Sequence, residues 1–207
     1  MCVQNDWDKA IEFHGHSCVG LALGYRAGKA ALQHLGSKRS PDEELVAIVE
    51  TDNCAVDALQ VLTGCTMGKG NIVFCDYGKN AFTIGRRDTG EAVRVVARDL
   101  DYVLGEGYQQ LRGRAMGCTA SESEMQRFQE IQVEAPQRIL DADENLLFNI
   151  ERVQLDFPAR ARIFSSVACS SCGEHVMEPR ARLRNGKLVC IPCSEVVRPC
   201  WNWAGQE

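Results

Sequence analysis

A chain of 207 residues has room for one full-sized domain and a small appendage. With 45% hydrophobic and 25% charged residues it falls in the globular range, which excludes an intrinsically disordered chain. A formal net charge of -5 excludes a global basic field that would draw the chain to nucleic acid or an anionic membrane.

The first eight residues, Met1 to Asp8, show neither the basic region nor the apolar run of a signal peptide. No segment has enough consecutive apolar residues to span a bilayer, so the expected location is the cytoplasm. Val19–Leu35 reads as a helix, with Leu21, Leu23, Tyr25, Ala27, Ala31 and Leu32 interrupted by Gly20, Gly24 and Gly28. Each glycine costs a helix about 1 kcal/mol. The pair Gly24 and Gly28, four apart, therefore predicts a face where another backbone comes very close.

The apolar run Leu45–Val49 predicts a buried strand, and Ala55–Leu62 a helix. Asn71–Tyr77 and Asn80–Ile84 read as a strand pair around Gly78, with a further strand at Glu91–Val96. From Leu100 to about Asn149 the pattern is mostly helical, with Pro136 expected to separate two helices. There is no internal repeat and no low-complexity linker. The boundary between domains is expected between Gln154 and Ser166, giving a body of residues 1–158 and a module of residues 159–207. The body is expected to be α+β with a mixed sheet.

Eleven cysteines call for an explanation. An odd total, the absence of a signal and the C-x-x-C spacing argue against a disulfide framework and for metal binding or redox chemistry in a reducing compartment. Cys169 and Cys172 form one C-x-x-C pair and Cys190 and Cys193 another, with seventeen residues between the pairs. Two residues between cysteines let both thiolates reach one ion from a tight turn, and Gly173 supplies the positive φ such a knuckle needs. Four thiolates close a tetrahedral shell, so this site is expected to hold structural zinc, a redox dithiol pair being the alternative. Arg182–Val189 reads as a hairpin turning at Asn185-Gly186, and Ser194 to Val197 as the first turn of a helix. Knuckle, hairpin and helix start together resemble a treble-clef zinc finger of the DksA/TraR type. Cys200 lies outside the repeat and reads as a packed or free thiol.

Arg160, Arg162, Arg180, Arg182, Arg184, Lys187 and Arg198 make this end locally basic, and Trp201 and Trp203 follow. Contact with a protein partner is favoured there over nucleic acid.

A second constellation lies near the N-terminus. His14-Gly15-His16-Ser17-Cys18 puts three metal-ligating side chains within five residues. Ser17 is expected to cap the following helix and Cys18 to sit in its first turn, where N–H groups and the helix dipole favour a thiolate. Thr51-Asp52-Asn53-Cys54 repeats the arrangement, with Asp52 or Asn53 as cap and Cys54 at the helix start. The loop Gly64–Asn71 offers another thiol, Cys65, and Lys69; its spacing is wrong for a phosphate-binding P-loop, so nucleotide binding is discounted. Cys75 and Cys118 read as small buried hydrophobes.

Several blocks carry a resemblance. Phe13 to Cys18, Leu23 to Gly28, Glu50 to Ala58, Leu62 to Asn71 and Asp76 to Lys79 resemble the FmdE family, which takes its name from a component of formylmethanofuran dehydrogenase. The resemblance implies a thioredoxin-like α+β core, a mixed sheet flanked by helices, and a metal-binding active site. Its motif falls on His14, His16, Cys18, Cys54 and Cys65. Three or four of these suffice for one ion; a histidine of the first cluster with Cys18 and Cys54 would leave a position for water or substrate. Such ligands suit zinc, or iron in a reducing cell.

Two functions follow. The first is a metalloenzyme or redox accessory with an open His/Cys site, in which Asp57 or His16 serves as general base; charge at a helix N-terminus is the equally weighted reading of Asp57. The second is a non-catalytic metal or cofactor carrier, or an assembly partner of a molybdenum or tungsten enzyme that docks through the finger. Glycine-lined helix packing would suit a homodimer. A transcription factor is a third reading, resting only on the finger and its basic surroundings.

Overall fold

The computed structural model describes residues 5–157, 160 and 163–194. The chain divides into two compact units, Met1–Ala161 and Arg162–Glu207. Arg162, Arg198, Cys200, Trp201, Trp203 and the helical turn expected over 195–197 lie outside the described residues.

The first unit begins with α1 (Asp6–His14), for which the sequence offers little signal. Asn5 caps it by accepting from Asp8 N–H at 2.9 Å, Asp6 and Asp8 complement the N-terminal dipole, and Gly15 ends it at φ 96°. Only Ala10 of this helix is fully buried, so its apolar pattern is weak. It packs with Trp7 and Ile11 against Leu21 of α2 (Val19–Leu35) and Ala58 of α3 (Ala55–Thr63). The bounds of α2 are those the periodicity predicts, and α3 runs one residue longer.

The sheet has the order β2-β1-β3-β4-β5, formed by β1 (Leu45–Val49), β2 (Ile72–Phe74), β3 (Ala81–Arg86), β4 (Glu91–Ala97) and β5 (Phe148–Gln154). β2 is parallel to β1, and every other neighbouring pair is antiparallel. The strand pair expected around Gly78 does not form as a hairpin: Ala47 of β1 is paired with Ile72 of β2 on one side and Ile84 of β3 on the other. The β2–β3 connection crosses the end of β1 instead, where Cys75 N–H donates to Val49 O and Lys79 N–H to Glu50 O. β1 thereby becomes a central strand, which explains its unbroken apolar run. The sheet is mixed and flanked by helices, as expected; a thioredoxin-like assignment is not established by it.

Between β4 and β5 lie α4 (Asp101–Leu104), α5 (Tyr108–Met116), α6 (Glu122–Asp141) and α7 (Glu144–Leu147). Pro136 does not separate two helices: α6 runs through it for 20 residues. A Ser121–Glu124 capping box starts the helix, and Phe128, Ala135, Pro136 and Ile139 are buried along it. Arg26 of α2 donates to the carbonyls of Ile139 and Leu140, holding the far end. Tertiary packing of this face outweighs the single hydrogen bond that proline removes. β5 is hidden in the tail of the helical region; the alternation of Phe148 and Ile150 with polar Asn149 and Glu151 is its only sequence signal. Among the described residues no helix is long and apolar enough to cross a membrane.

The glycine face of α2 meets α3. A Cβ on Gly24 would collide with the backbone of Ala55, one on Gly28 would lie 2.8 Å from Leu62 Cδ1, and one on Gly20 would lie 3.1 Å from Cys54 Cβ. The close backbone approach is therefore met within the chain, and the glycine stripe gives no ground for a homodimer.

The second unit carries two short hairpins, β6 (Ser166–Ala168) with β7 (His175–Met177), and β8 (Arg182–Arg184) with β9 (Lys187–Val189). The second turns at Asn185 (φ 49°) and Gly186 (φ 73°), the left-handed pair that Asn-Gly predicts.

Gly24→Ala is expected to destabilise the body by about 1–3 kcal/mol through overpacking against Ala55. Gly113→Ala, in an exposed helical position with open space around it, is expected to be neutral or stabilising by up to about 1 kcal/mol. Urea unfolding followed by circular dichroism separates the two.

Candidate metal centres

α2 and α3 run in the same direction along the glycine stripe, since Gly20, Gly24 and Gly28 meet Cys54, Ala55 and Leu62 in turn. Both helix N-termini therefore lie at one end, each with a cysteine. Ser17 is not the cap of α2: Cys18 itself occupies that place, and its Sγ accepts from Leu21 N–H at 3.4 Å. At α3, Cys54 stands at the cap position without a side-chain bond, while Asn53 Oδ1 accepts from Ala55 N–H at 3.0 Å. Both sulfurs thus sit where amide dipoles favour negative charge.

His14, the last residue of α1, completes the group. One ligand atom from each of His14, Cys18 and Cys54 lies within 4.8 Å of the others, and all three side chains are half-buried. His14 Nε2 is 3.8 Å from Cys18 Sγ. Its Nδ1 is 2.7 Å from Asp57 Oδ2, one turn into α3, and donates to that carboxylate. This fixes the tautomer in which Nε2 keeps its lone pair toward the thiols. Burial first, and then the neighbouring Cys18, push the Cys54 thiol above the usual range. Two thiols held this close oppose each other's ionisation until a cation is present. Bond lengths of about 2.3 Å to sulfur put two thiolates of a tetrahedral zinc about 3.7 Å apart, a spacing this cluster can meet.

The other sequence candidates fall elsewhere. His16 is exposed and tilted against the His14 ring, with centroids 4.6 Å apart. Cys65 is fully buried in the main core and takes no part in the three-residue group; burial raises its thiol pKa. Its loop is pinned by Asn71, which donates to Leu45 O and accepts from Thr66 N–H, while Lys69 Nζ donates to Asp42 O. Cys75 is half-buried, and Cys118 is exposed at φ 55° just past the end of α5, so neither is the small buried hydrophobe expected. Asp57 is engaged by His14 and, at 3.4 Å, by Gln60.

A cavity of about 580 Å³ opens beside the two thiols. Cys18, Gly20 and Cys54 form one part of its lining, and residues of β4, α5 and α6 the rest. Neither Asp57 nor His16 is among the described residues that line it. The basic residues Lys79, Arg98 and Arg112 do line it, and sequence reasoning misses Arg98 and Arg112, which no local motif marks.

In the second unit the four sulfurs of Cys169, Cys172, Cys190 and Cys193 lie within 4.8 Å of one another, Cys172 and Cys190 being 3.9 Å apart. Gly173 adopts φ 78°, and its N–H donates to Cys169 O, closing the first knuckle. Backbone N–H groups, of Cys172 first and then of Cys190 and Ser171, hold the Cys169 thiol down at about 6. A thiolate is therefore present at neutral pH before any ion arrives. The local core consists of Cys169, Val189 and Cys190 with Val176 and Cys193 beside them, too little apolar area to fold such a module alone.

Residues 13–149 match the family described as "FmdE, Molybdenum formylmethanofuran dehydrogenase operon", and residues 162–197 match the prokaryotic dksA/traR C4-type zinc finger. A curated relative from Archaeoglobus fulgidus, named probable S-adenosyl-L-methionine-binding protein, is 35% identical over 193 residues, covering 90% of this chain and 51% of its own length. The chain thus spans about half the length of the curated relative it matches. A crystal structure of an FmdE-like protein of tungsten formylmethanofuran dehydrogenase type, from Syntrophus aciditrophicus, is alike in fold, with a TM-score of 0.59 and 24% identity over 95% of this chain and 100% of that one.

Asp57→Asn is expected to lower the affinity of the His14–Cys18–Cys54 group for zinc about tenfold, by weakening the hydrogen bond that orients His14. Competition with a chromophoric chelator measures it; unchanged affinity would assign Asp57 to helix-dipole stabilisation alone.

Proposed function

This chain belongs to the FmdE family, and we propose that its body is a metal-dependent enzyme or redox accessory built on one divalent ion at His14, Cys18 and Cys54. The observation that carries this reading is the convergence of one imidazole and two thiols at the edge of a cavity. Three protein ligands leave one tetrahedral position for water or substrate, the arrangement of catalytic rather than structural zinc. A bound ion there supplies Lewis acidity to polarise a carbonyl or lower the pKa of water. The chain's own residues do the rest: Cys18 and Cys54 hold negative charge at two helix N-termini, Asp57 orients His14, and the cavity walls limit access of bulk water. Asp57 then acts as a positioning residue through His14, in place of the general base considered from sequence.

The C-terminal module holds structural zinc on Cys169, Cys172, Cys190 and Cys193, which supplies roughly 10 kcal/mol or more to fold a unit with so small a core. A second reading draws on the operon description of the family: a metal or cofactor carrier serving a molybdenum or tungsten enzyme, docked through the finger.

Metal analysis of anaerobically purified protein tests both sites. The full chain is expected to carry two ions, and Cys54→Ser and Cys190→Ser one each. Cys190→Ser is also expected to collapse the amide dispersion of residues 166–194. Two ions retained by Cys54→Ser would overturn the N-terminal ligand set. A complex with a molybdenum or tungsten enzyme that is lost on Cys190→Ser, without turnover by the free chain, would favour the carrier.

A further inference from the structure

We propose that the cavity beside His14, Cys18 and Cys54 takes a small organic anion with an apolar body, recognised by Lys79, Arg98 and Arg112; this rests on the reading of that group as a metal centre. At about 580 Å³ the cavity lies within the range of small-molecule sites. Its lining is one-sided in charge. Lys79, Arg98 and Arg112 contribute to it, and no Asp or Glu does among the described residues, although the chain as a whole carries a net charge of -5. Concentration of one sign of charge at a concave surface focuses the field onto a ligand of opposite sign.

The three cations are not neutralised by carboxylates. Among the described residues Arg112 has no ion-pair partner; Arg98 Nη1 donates to Asn145 O while its guanidinium lies over the Tyr102 ring, and the Lys79 ammonium lies over Tyr77. Their charges remain available to a ligand. Tyr108 adds a neutral donor: it is 2% exposed, and its hydroxyl accepts from Gln132 Nε2 at 2.9 Å. Both residues line the cavity, and no acceptor for the phenolic proton is present among the described residues. Leu23, Val96, Leu100 and Phe128 supply the apolar wall, which fits a hydrocarbon or aromatic body better than a free inorganic anion.

The test uses the zinc-loaded full chain and a matched pair of probes, 2-naphthoate and its neutral amide, 2-naphthamide, titrated calorimetrically at low and high salt. Naphthoate is expected to bind once per chain, about tenfold or more tighter than the amide, with the advantage shrinking as salt rises. Arg112→Gln is expected to weaken naphthoate about fivefold and leave both amide binding and metal content unchanged. Equal affinity for the two probes, no saturable binding of naphthoate, or an unaltered naphthoate affinity in Arg112→Gln would overturn the proposal. The metal reading is judged separately by the ion content of Cys54→Ser, so failure of one does not masquerade as failure of the other.

Discussion

Gly20, Gly24 and Gly28 leave α2 without side chains along one stripe, and α3 packs into that stripe with its backbone at Ala55. A helix accepts three glycines, each at about 1 kcal/mol, only where close approach returns more in dispersion and burial. Here the return is also positional. Because the two helices run in the same direction, their N-termini lie together, and the two cap positions bring Cys18 and Cys54 side by side. Everything in the N-terminal site follows from that packing.

The site then gathers charge that the fold must offset. Two thiols beside each other, with Asp57 near, disfavour ionisation, and burial adds to the penalty at Cys54. Amide dipoles at two helix starts act in the opposite sense, and α1 delivers an imidazole whose far nitrogen is already held by Asp57. The product is a donor set poised for a cation, on helices braced by a five-stranded sheet, and facing a cavity whose charged walls are positive. A negatively charged metal–thiolate group beside a basic cavity is a division of labour: one part does chemistry, the other selects the ligand.

The second unit obeys a different constraint. Its apolar core is a few side chains, so its order depends on the four convergent sulfurs. Tight turns do the positioning there, with Gly173 and the Asn185-Gly186 pair in left-handed conformations. Local geometry is sufficient for such a module, and that is why it can be read so fully from spacing.

What the sequence determined by itself is what depends on near neighbours. The bounds of α2 and β1, the Asn-Gly hairpin, the two C-x-x-C knuckles and the glycine face of α2 were all legible, because periodicity, turn chemistry and missing side chains act over a few residues. Long-range packing decided the rest. β3 pairs with β1 across a loop rather than with β2; α6 continues through Pro136 because its buried face outweighs one lost hydrogen bond; β5 becomes a strand only on reaching the edge of β4. In the site, local motifs named five metal-ligating residues, but only tertiary structure separated His14, Cys18 and Cys54 from buried Cys65 and exposed His16. It also joined Asp57 to His14 across 43 positions and carried Arg112 to the cavity, because such contacts belong to the packing of helices and leave no periodic trace in the chain.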